Sequence, residues 1–244
     1  MAVIILAAGL GTRMKSDKAK VLHEILGKAM VLYVVGTAKK VAGNNVILVI
    51  GNQAEKVREI VSKEYEAVFA LQKEQLGTGH AVSCALPSLT GQTEHVLILC
   101  GDVPLIRADT LTRFTDEHLA AERDISLLAV QIDDPAGYGR ILTDENMNLT
   151  GIVEEADATE EQKKINTINT GIYCVRKQFL TDVLQKIRPD NAQGEFYLTD
   201  IIGIGYKEGK RIGVMVGDNP NEVMGINTLH DLATVESIMR SGKI

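Results

Sequence analysis

Short apolar runs alternate along the first half of the chain with segments whose apolar residues recur every three or four positions. In segment 54–64, for example, Val57, Ile60 and Val61 share one face of a helix. The runs themselves are rich in Val, Ile and Leu and have no polar side, which is typical of parallel strands covered by helices on both faces. The pattern predicts strands at 2–7, 45–50, 66–70, 95–100 and 124–130.

After about residue 130 the apolar segments become shorter and are separated by turn residues. This pattern favours antiparallel strands, followed by a helix, one more strand and a closing helix. Together the two halves predict a three-layer, Rossmann-like α/β fold, with a mostly parallel central sheet and added antiparallel strands. The later elements are expected at 138–144, 148–155, 169–175, 197–207, 211–216 and 228–240.

The carboxyl ends of the parallel strands are where a ligand site is expected. In open α/β sheets, ligands bind beyond these ends. The loops 7–20, 71–80 and 100–105 each follow a predicted strand. We therefore expect these three loops to converge.

Composition limits the classes of function. The chain has 244 residues, 45% of them hydrophobic, and a net charge of −6. No linker divides it, so one large domain is favoured. The positive charge concentrates in Arg13, Lys15, Lys18 and Lys20, whereas a nucleic-acid-binding protein would present an extended basic surface. We expect no nucleic-acid partner, and a small polyphosphate remains compatible.

The cysteines and the first apolar run bear on location. Cys84, Cys100 and Cys174 are far apart and each lies in an apolar stretch, as expected of reduced core residues. The run at 2–7 has no basic leader, and no run is long enough to span a bilayer. The expectation is a cytoplasmic protein with no membrane contact.

The stretch LAAGLGTRMKSDKAKVL, residues 6–22, joins a strand to two glycines and four cations. Glycine allows positive φ and close approach of a ligand to the backbone, whose N–H groups bind phosphate oxygens. A dinucleotide fingerprint needs a third glycine where Met14 stands, which makes a dehydrogenase the least favoured reading. The alternatives are a phosphate-binding loop, with Arg13 and Lys20 adding charge-assisted bonds, and a solvated basic turn.

This stretch and seven later ones carry a family resemblance that covers nearly the whole chain. LAAGLGTRM followed by KxxxxKVL resembles the signature of the sugar-nucleotide pyrophosphorylases, a class of nucleotidyltransferases. In order and spacing, the full set resembles the uridyltransferase domain of the bacterial N-acetylglucosamine-1-phosphate uridyltransferases. The later stretches are QKEQLGTGHAV (72–82), CGDVPLI (100–106), GYGRI (137–141), GIVEEADAT (151–159), INTGIY (168–173), NAQGEFYLTD (191–200) and GIN (225–227).

The resemblance implies that UTP and N-acetylglucosamine 1-phosphate give UDP-N-acetylglucosamine and pyrophosphate. An already anionic phosphate oxygen attacks the α-phosphorus, so neutralising charge and aligning the substrates are the catalytic tasks. Arg13, Lys20 and Asp102 are the implied catalytic residues, and Asp102 with Asn227 is the implied Mg²⁺ site. Alternatively, Asp102 only starts the turn before Pro104 and Asn227 only caps a helix.

For the nucleotide, the resemblance implies a backbone and side-chain cradle in which Gln72 reads the uracil edge. An amide can donate and accept at once, as that edge requires. Without the resemblance, GTG at 77–79 would only begin a helix and Gln72 would be exposed. His80 is assigned to helix packing. The implied nucleotide-binding residues are Leu6, Ala7, Ala8, Gly9, Gln72, Gly77 and Thr78.

For the sugar, the resemblance implies close backbone approach at a glycine and polar side chains for the hydroxyl and acetamido groups. Glu154 is adjacent to Glu155, and only one of them can face inward from a strand. Glu154 matches the motif position. The implied sugar-binding residues are Gly139, Glu154, Asn169, Tyr197 and Thr199.

Several points depart from the family or stay open. Ala19 stands where proline commonly precedes the key lysine, which would leave the loop more mobile. We expect a nucleotidyltransferase domain over 1–227 and a helix over 228–244 that begins the linker to a β-helix domain, whose hexapeptide repeats this sequence does not contain. A monomer is the default expectation. Alternatives are another sugar 1-phosphate, dTTP in place of UTP, or a non-catalytic nucleotide sensor.

Overall fold

The computed structural model describes residues 1–242. The strands in that range are β1 (Ala2–Ala7), β2 (Glu24–Ile25), β3 (Lys28–Ala29), β4 (Val46–Ile50), β5 (Val68–Leu71), β6 (His95–Cys100), β7 (Ile125–Gln131), β8 (Arg140–Thr143), β9 (Leu149–Val153), β10 (Thr167–Arg176) and β11 (Ile212–Val216). The helices are α1 (Met30–Ala42), α2 (Ala54–Ser62), α3 (Thr78–Ala85), α4 (Ala108–Ala120), α5 (Lys177–Leu184), α6 (Asp200–Lys207) and α7 (Leu229–Ser241).

Nine of the strands form one sheet, whose main order is β11-β7-β10-β6-β1-β4-β5. The neighbours β6, β1, β4 and β5 are parallel, and β11 is parallel to β7. Strand β10 runs antiparallel to both β7 and β6. The antiparallel strand is therefore inserted within the sheet, and β8 and β9 extend from it as a small antiparallel branch.

Two hydrophobic cores lie on opposite faces of this sheet. Along β1, Val3 and Ile5 belong to one core, while Ile4 between them belongs to the other. This alternation is what a strand buried on both faces requires, because successive side chains point to opposite sides. Helices α1, α2, α4 and α7 cover the first face, and α3, α5 and α6 cover the second. The predicted three-layer α/β fold is confirmed.

The observed elements follow the predicted ones to within a few residues. The closing helix runs from Leu229 to Ser241 and buries Val235 against the core. Residues 243 and 244, the end of the predicted C-terminal segment, lie outside the described residues. None of the helices between residues 1 and 242 has the length and apolarity needed to cross a bilayer.

A buried histidine ties α4 to β7 and makes stability sensitive to acid. His118 is fully buried, with Nδ1 2.9 Å from Oγ of Ser126 and Nε2 2.9 Å from Nδ1 of His95. Burial first, then the charges of His95 and Arg123, lowers its pKa to about 4. Between an ordinary pKa near 6.5 and this value, the unfolded chain takes up a proton that the folded chain excludes. Acid in that window therefore favours unfolding.

We expect His118→Gln to flatten the pH dependence of stability. In the parent protein this histidine should remove about 3 kcal/mol from the free energy of unfolding as the pH falls from about 6.5 to about 4. Urea denaturation of both proteins across that range measures the difference. Curves that stay parallel would show that His118 does not titrate on unfolding.

Candidate active site

The glycine loop after β1 brings Lys20 to the end of the sheet. Gly11 has φ of 66°, a left-handed conformation that glycine adopts without strain. A Cβ built on Gly11 would lie 2.6 Å from Cβ of Lys20, too close for any side chain. Glycine is therefore needed at this position for two reasons, because the turn and the packing of Lys20 both depend on it. By contrast, a Cβ on Gly9 would meet only open space.

Four predicted polar side chains meet at the carboxyl edge of the sheet. The ammonium of Lys20 donates to Oδ2 of Asp102 and, at 3.1 Å, to Oδ1 of Asn227. Nη2 of Arg13 donates to the same Asn227 oxygen at 2.8 Å. The side chains of Lys20 and Asp102 are only 16% and 18% exposed, which weakens solvent screening of their charges. Two cations thus face two acceptor oxygens, on Asp102 and Asn227, from distant parts of the chain.

Separate elements position the acceptor oxygens of Asp102 and Asn227. Asp102 follows β6 directly, and its carbonyl accepts from the N–H of Ile226 at 2.9 Å. That bond fixes the segment that carries Asn227. The N–H of Asn227 donates to Oδ2 of Asp231, whose carboxylate also completes a capping box with Thr228 at the start of α7. The sheet therefore positions Asp102, and the N-terminal cap of α7 positions Asn227.

Beside this cluster lies an open cleft of about 460 Å³, within the size range of small-molecule sites. The loops after β1, β5 and β6 meet there. The predicted Leu6, Ala7, Ala8 and Gly9 line it on one side, together with Lys20 and Asp102. Further lining residues, not singled out by the sequence analysis for a role here, are Leu10, Gln75, Cys100 and Glu195.

Gln72 lies in the cleft wall with its side chain only 3% exposed. Its amide Nε2 lies 3.1 Å from the carbonyl oxygen of Gly77 and 3.1 Å from Nδ1 of His80. Both N–H groups of the amide thus have partners within the protein. From the described residues, Oε1 accepts no hydrogen bond, so this oxygen is the group left to contact a ligand. In this arrangement the Gln72 amide would meet a ligand as an acceptor, whereas the sequence analysis expected it both to donate and to accept.

The other predicted base contacts, Gly77 and Thr78, begin helix α3 on the same side of the cleft. Gly77 has φ of 109°, and a Cβ there would lie 2.7 Å from the carbonyl oxygen of Phe196. The hydroxyl oxygen of Thr78 accepts from the N–H of Leu198 at 3.0 Å, which leaves its proton free to donate. The N–H of Gly79 also donates to the carbonyl oxygen of Phe196 at 2.8 Å. These two bonds dock the segment around Phe196 against α3 and connect the predicted base contacts to the predicted sugar contacts.

Gly139 is the neighbour of two other predicted sugar residues, Glu154 and Asn169. A Cβ on Gly139 would lie 3.2 Å from Oε2 of Glu154, and the carbonyl of Gly139 accepts from the N–H of Asn169 at 2.8 Å. A bulge in β10, with Gly171 at φ of 76°, shifts the register after Asn169. Oδ1 of Asn169 accepts from Gly171 N–H and Tyr173 hydroxyl, so its amide N–H₂ is the part left for a ligand.

The sequence analysis placed Glu154 and Glu155 on a strand, but β9 ends at Val153 and both residues follow it. Their side chains nevertheless have different surroundings. Glu155 forms an ion pair with the buried Arg140, in which its Oε2 lies 2.7 Å from Nη1 of the arginine. Glu154 lies inside, where burial raises its pKa although a hydrogen bond from Thr199 opposes the shift. Tyr197, also predicted here, is buried with its hydroxyl unpartnered among the described residues, and burial and nearby acids raise its pKa to about 12. A neutral phenol and a carboxyl group whose pKa is raised by burial suit uncharged sugar hydroxyls.

The neighbouring lysines lie away from the cluster. Lys15 is exposed, and Lys18 pairs with Glu24 at 2.9 Å on the surface. Of the four cations in the glycine-loop stretch, Arg13 and Lys20 alone reach the Asn227 oxygen.

Ala19, the departure from the family pattern, already has the backbone geometry of proline. Its φ of −53° and ψ of 136° lie in the range that proline imposes, and its N–H donates no hydrogen bond within residues 1–242. We expect Ala19→Pro to raise the free energy of unfolding by about 0.4–1 kcal/mol by restricting the unfolded chain. Thermal melts check the stability, and the KM for the nucleotide should stay equal or fall. A lower melting temperature would mean that the ring does not fit this buried position.

The oxygens of Asp102 and Asn227 are also suitable ligands for a hard divalent cation. Asp102 and Asn227 already share one cationic group, the ammonium of Lys20, so both can face a single positive centre. Carboxylate and amide oxygens are ligands that Mg²⁺ accepts, with water and substrate phosphates completing its shell. Residues 1–242 contain no group of three His, Cys, Asp or Glu side chains that could hold a metal ion. A metal here would therefore depend on these two residues and the substrates.

Residues 3–165 match the sequence family of MobA-like NTP transferase domains. This range contains the glycine loop, Gln72 and Asp102. The chain belongs to this family of NTP transferase domains. Similar proteins include the "Bifunctional protein GlmU" of Geotalea uraniireducens, 46% identical over 98% of this chain and 52% of that protein. The protein of the same name from Desulfotalea psychrophila is 42% identical, over 98% of this chain and 70% of its own length. The resemblance inferred from the motifs is confirmed.

Solved structures agree with the fold of this NTP transferase domain. One from Bacillus anthracis, named for a glucose-1-phosphate thymidylyltransferase, superposes with a TM-score of 0.76 at 19% identity and covers 98% of this chain and 95% of that one. The structure of HddC from Yersinia pseudotuberculosis superposes with a TM-score of 0.70 at 21% identity. It covers 98% of this chain and 99% of that one. At such identities the likeness supports the fold alone. The chain spans about half the length of the first GlmU relative.

Proposed function

We propose that this domain transfers a uridylyl group from UTP to N-acetylglucosamine 1-phosphate, giving UDP-N-acetylglucosamine and pyrophosphate. The observation that carries the proposal is the meeting of Arg13, Lys20, Asp102 and Asn227 beside the glycine-lined cleft, whose wall includes Lys20 and Asp102. The GlmU relatives cover nearly the whole chain, which supports this choice of substrates. The reaction would take place in the cytoplasm, where nucleoside triphosphates are available.

In the proposed reaction an oxygen of the sugar phosphate attacks the α-phosphorus of UTP. The new P–O bond forms as the bond from the α-phosphorus to the oxygen shared with the β-phosphate breaks, and that electron pair leaves with pyrophosphate. The nucleophile is already anionic, so no general base is needed. The barrier is the approach of two anions, which oriented cations lower.

The residues have distinct tasks in this scheme. Lys20, held by packing against Gly11 and by Asp102, would neutralise charge shared by the two phosphates. Arg13, exposed beside Asn227, would hold the departing pyrophosphate. Mg²⁺, when bound by Asp102 and Asn227, would supply further charge neutralisation at the phosphates. Glu154, Asn169, Thr199, Tyr197 and the backbone at Gly139 would hold the sugar.

Pyrophosphate release measured across a panel tests the proposal. The purified chain is assayed with Mg²⁺, combining UTP, dTTP, CTP and ATP with N-acetylglucosamine, glucosamine and glucose 1-phosphates. We expect the highest kcat/KM with UTP and N-acetylglucosamine 1-phosphate. A clear preference for another pair would refute the substrate assignment, and tight UTP binding without turnover on any sugar phosphate would favour a sensor.

A further inference from the structure

His80 contacts the base-reading side chain directly, although its sequence position suggested only a packing role. It occupies the third position of α3, and its Nδ1 lies 3.1 Å from Nε2 of Gln72. On the other side of the ring, Nε2 lies 3.7 Å from Sγ of Cys84, one helical turn later. The imidazole therefore bridges the cleft wall and the body of the helix.

The orientation of the Gln72 amide follows from its partners. The carbonyl of Gly77 can only accept, so the amide group that faces it at 3.1 Å must be the N–H₂. The second N–H of that group points to Nδ1 of His80, which must then be the accepting nitrogen of the ring. The imidazole proton consequently lies on Nε2, facing Cys84. With both N–H groups held, Oε1 is the part of the amide left for a ligand in the cleft.

We propose that His80 is a positioning residue for base selection: by accepting from Gln72, it holds the amide so that an oxygen acceptor faces the base. This inference rests on the proposed function and deepens it. Uracil carries a donor at N3, which matches such an acceptor, whereas the N3 of cytosine is itself an acceptor. A base that leaves a buried acceptor unpaired is rejected, since the desolvated group loses its hydrogen bond.

Two substitutions of similar shape separate hydrogen bonding from packing. Asparagine places Oδ1 where His80 has Nδ1, so His80→Asn keeps an acceptor for Gln72. Leucine has the same branched shape without any acceptor, so His80→Leu leaves one amide N–H without its partner. Cys84→Ala, which removes only the distant sulfur contact, serves as a control for disturbance of α3.

The experiment measures kcat and KM for UTP and kcat/KM for CTP in the parent chain and the three variants, with thermal melts to verify folding. We expect His80→Leu to raise the KM for UTP about 10-fold, to leave kcat within about 3-fold, and to reduce the preference for UTP over CTP about 10-fold. His80→Asn should recover most of that loss, and Cys84→Ala should behave as the parent.

The outcomes separate this inference from the proposed function. A folded His80→Leu variant with unchanged KM and base preference would overturn the positioning role while leaving uridylyl transfer intact. Equal losses in the Asn and Leu variants would also overturn it, because they would point to ring packing instead. A parent chain that does not turn over UTP would overturn the proposed function and this inference with it.

Discussion

Asp102→Ala is expected to lower kcat for pyrophosphate release by at least about 10²- to 10³-fold, the loss typical of removing one preorganised electrostatic contact. The variant loses one of the two oxygens that can face a divalent cation, and it also leaves Lys20 without its ion-pair partner. Both losses act on the charge that develops as the phosphates meet. Steady-state rates at saturating UTP and sugar phosphate, titrated with Mg²⁺, measure the effect.

The control is Asp109→Ala, at the start of α4. That side chain is 89% exposed, and within residues 1–242 its carboxylate forms an ion pair only with Arg107, on the surface. It should retain full activity, because exposed pairs of this kind contribute little. If Asp102→Ala instead kept the parent rate and the parent Mg²⁺ requirement, Asp102 would have no part in the chemistry.

Lys20→Met is expected to lower kcat/KM about 10²- to 10³-fold. Methionine keeps an unbranched stem against Gly11, so the close packing there survives, while the charge that contacts Asp102 and Asn227 is lost. Without the ammonium, the repulsion between triphosphate and sugar phosphate is no longer offset at this point. Initial rates over a matrix of both substrate concentrations give the separate effects on KM and kcat.

Lys18→Met provides the comparison two residues earlier in the same loop. Its ammonium pairs with Glu24 and its side chain is 41% exposed, so the substitution removes the same charge at a distance from the cleft. We expect activity within about 2-fold of the parent, as for most surface substitutions. Equal losses in the two lysine variants would indicate that only the overall charge of the loop matters.

The sequence predicted the layers of the fold well because buried parallel strands have no polar side. Runs such as 45–50 and 95–100 could be recognised without knowledge of their partners. The central position of β10 was harder to predict, since its neighbours β6 and β7 are each more than 30 residues away in the chain. Strand order depends on long-range pairing, which local patterns do not encode.

In the candidate site, too, some features could be predicted from local sequence and others could not. The glycine loop and Asp102 follow strands, so their place at the sheet edge could be inferred from strand direction alone. The contact between His80 and Gln72 could not, because it depends on which way a side chain on the first turn of α3 faces. The available signal in the sequence was GTGH at 77–80. A histidine in that position is equally compatible with a role in helix packing.

One consequence follows from the bonds that place Asn227. Its backbone is held by Asp231, and therefore by the first turn of the last helix, whereas Asp102 is held by the middle of the sheet. A tilt or displacement of that helix would act on Asn227 through Asp231, and the hydrogen bond from the N–H of Ile226 to the carbonyl of Asp102 would oppose the separation of the two oxygens. The spacing of these two oxygens therefore depends on how the last helix docks as well as on the sheet.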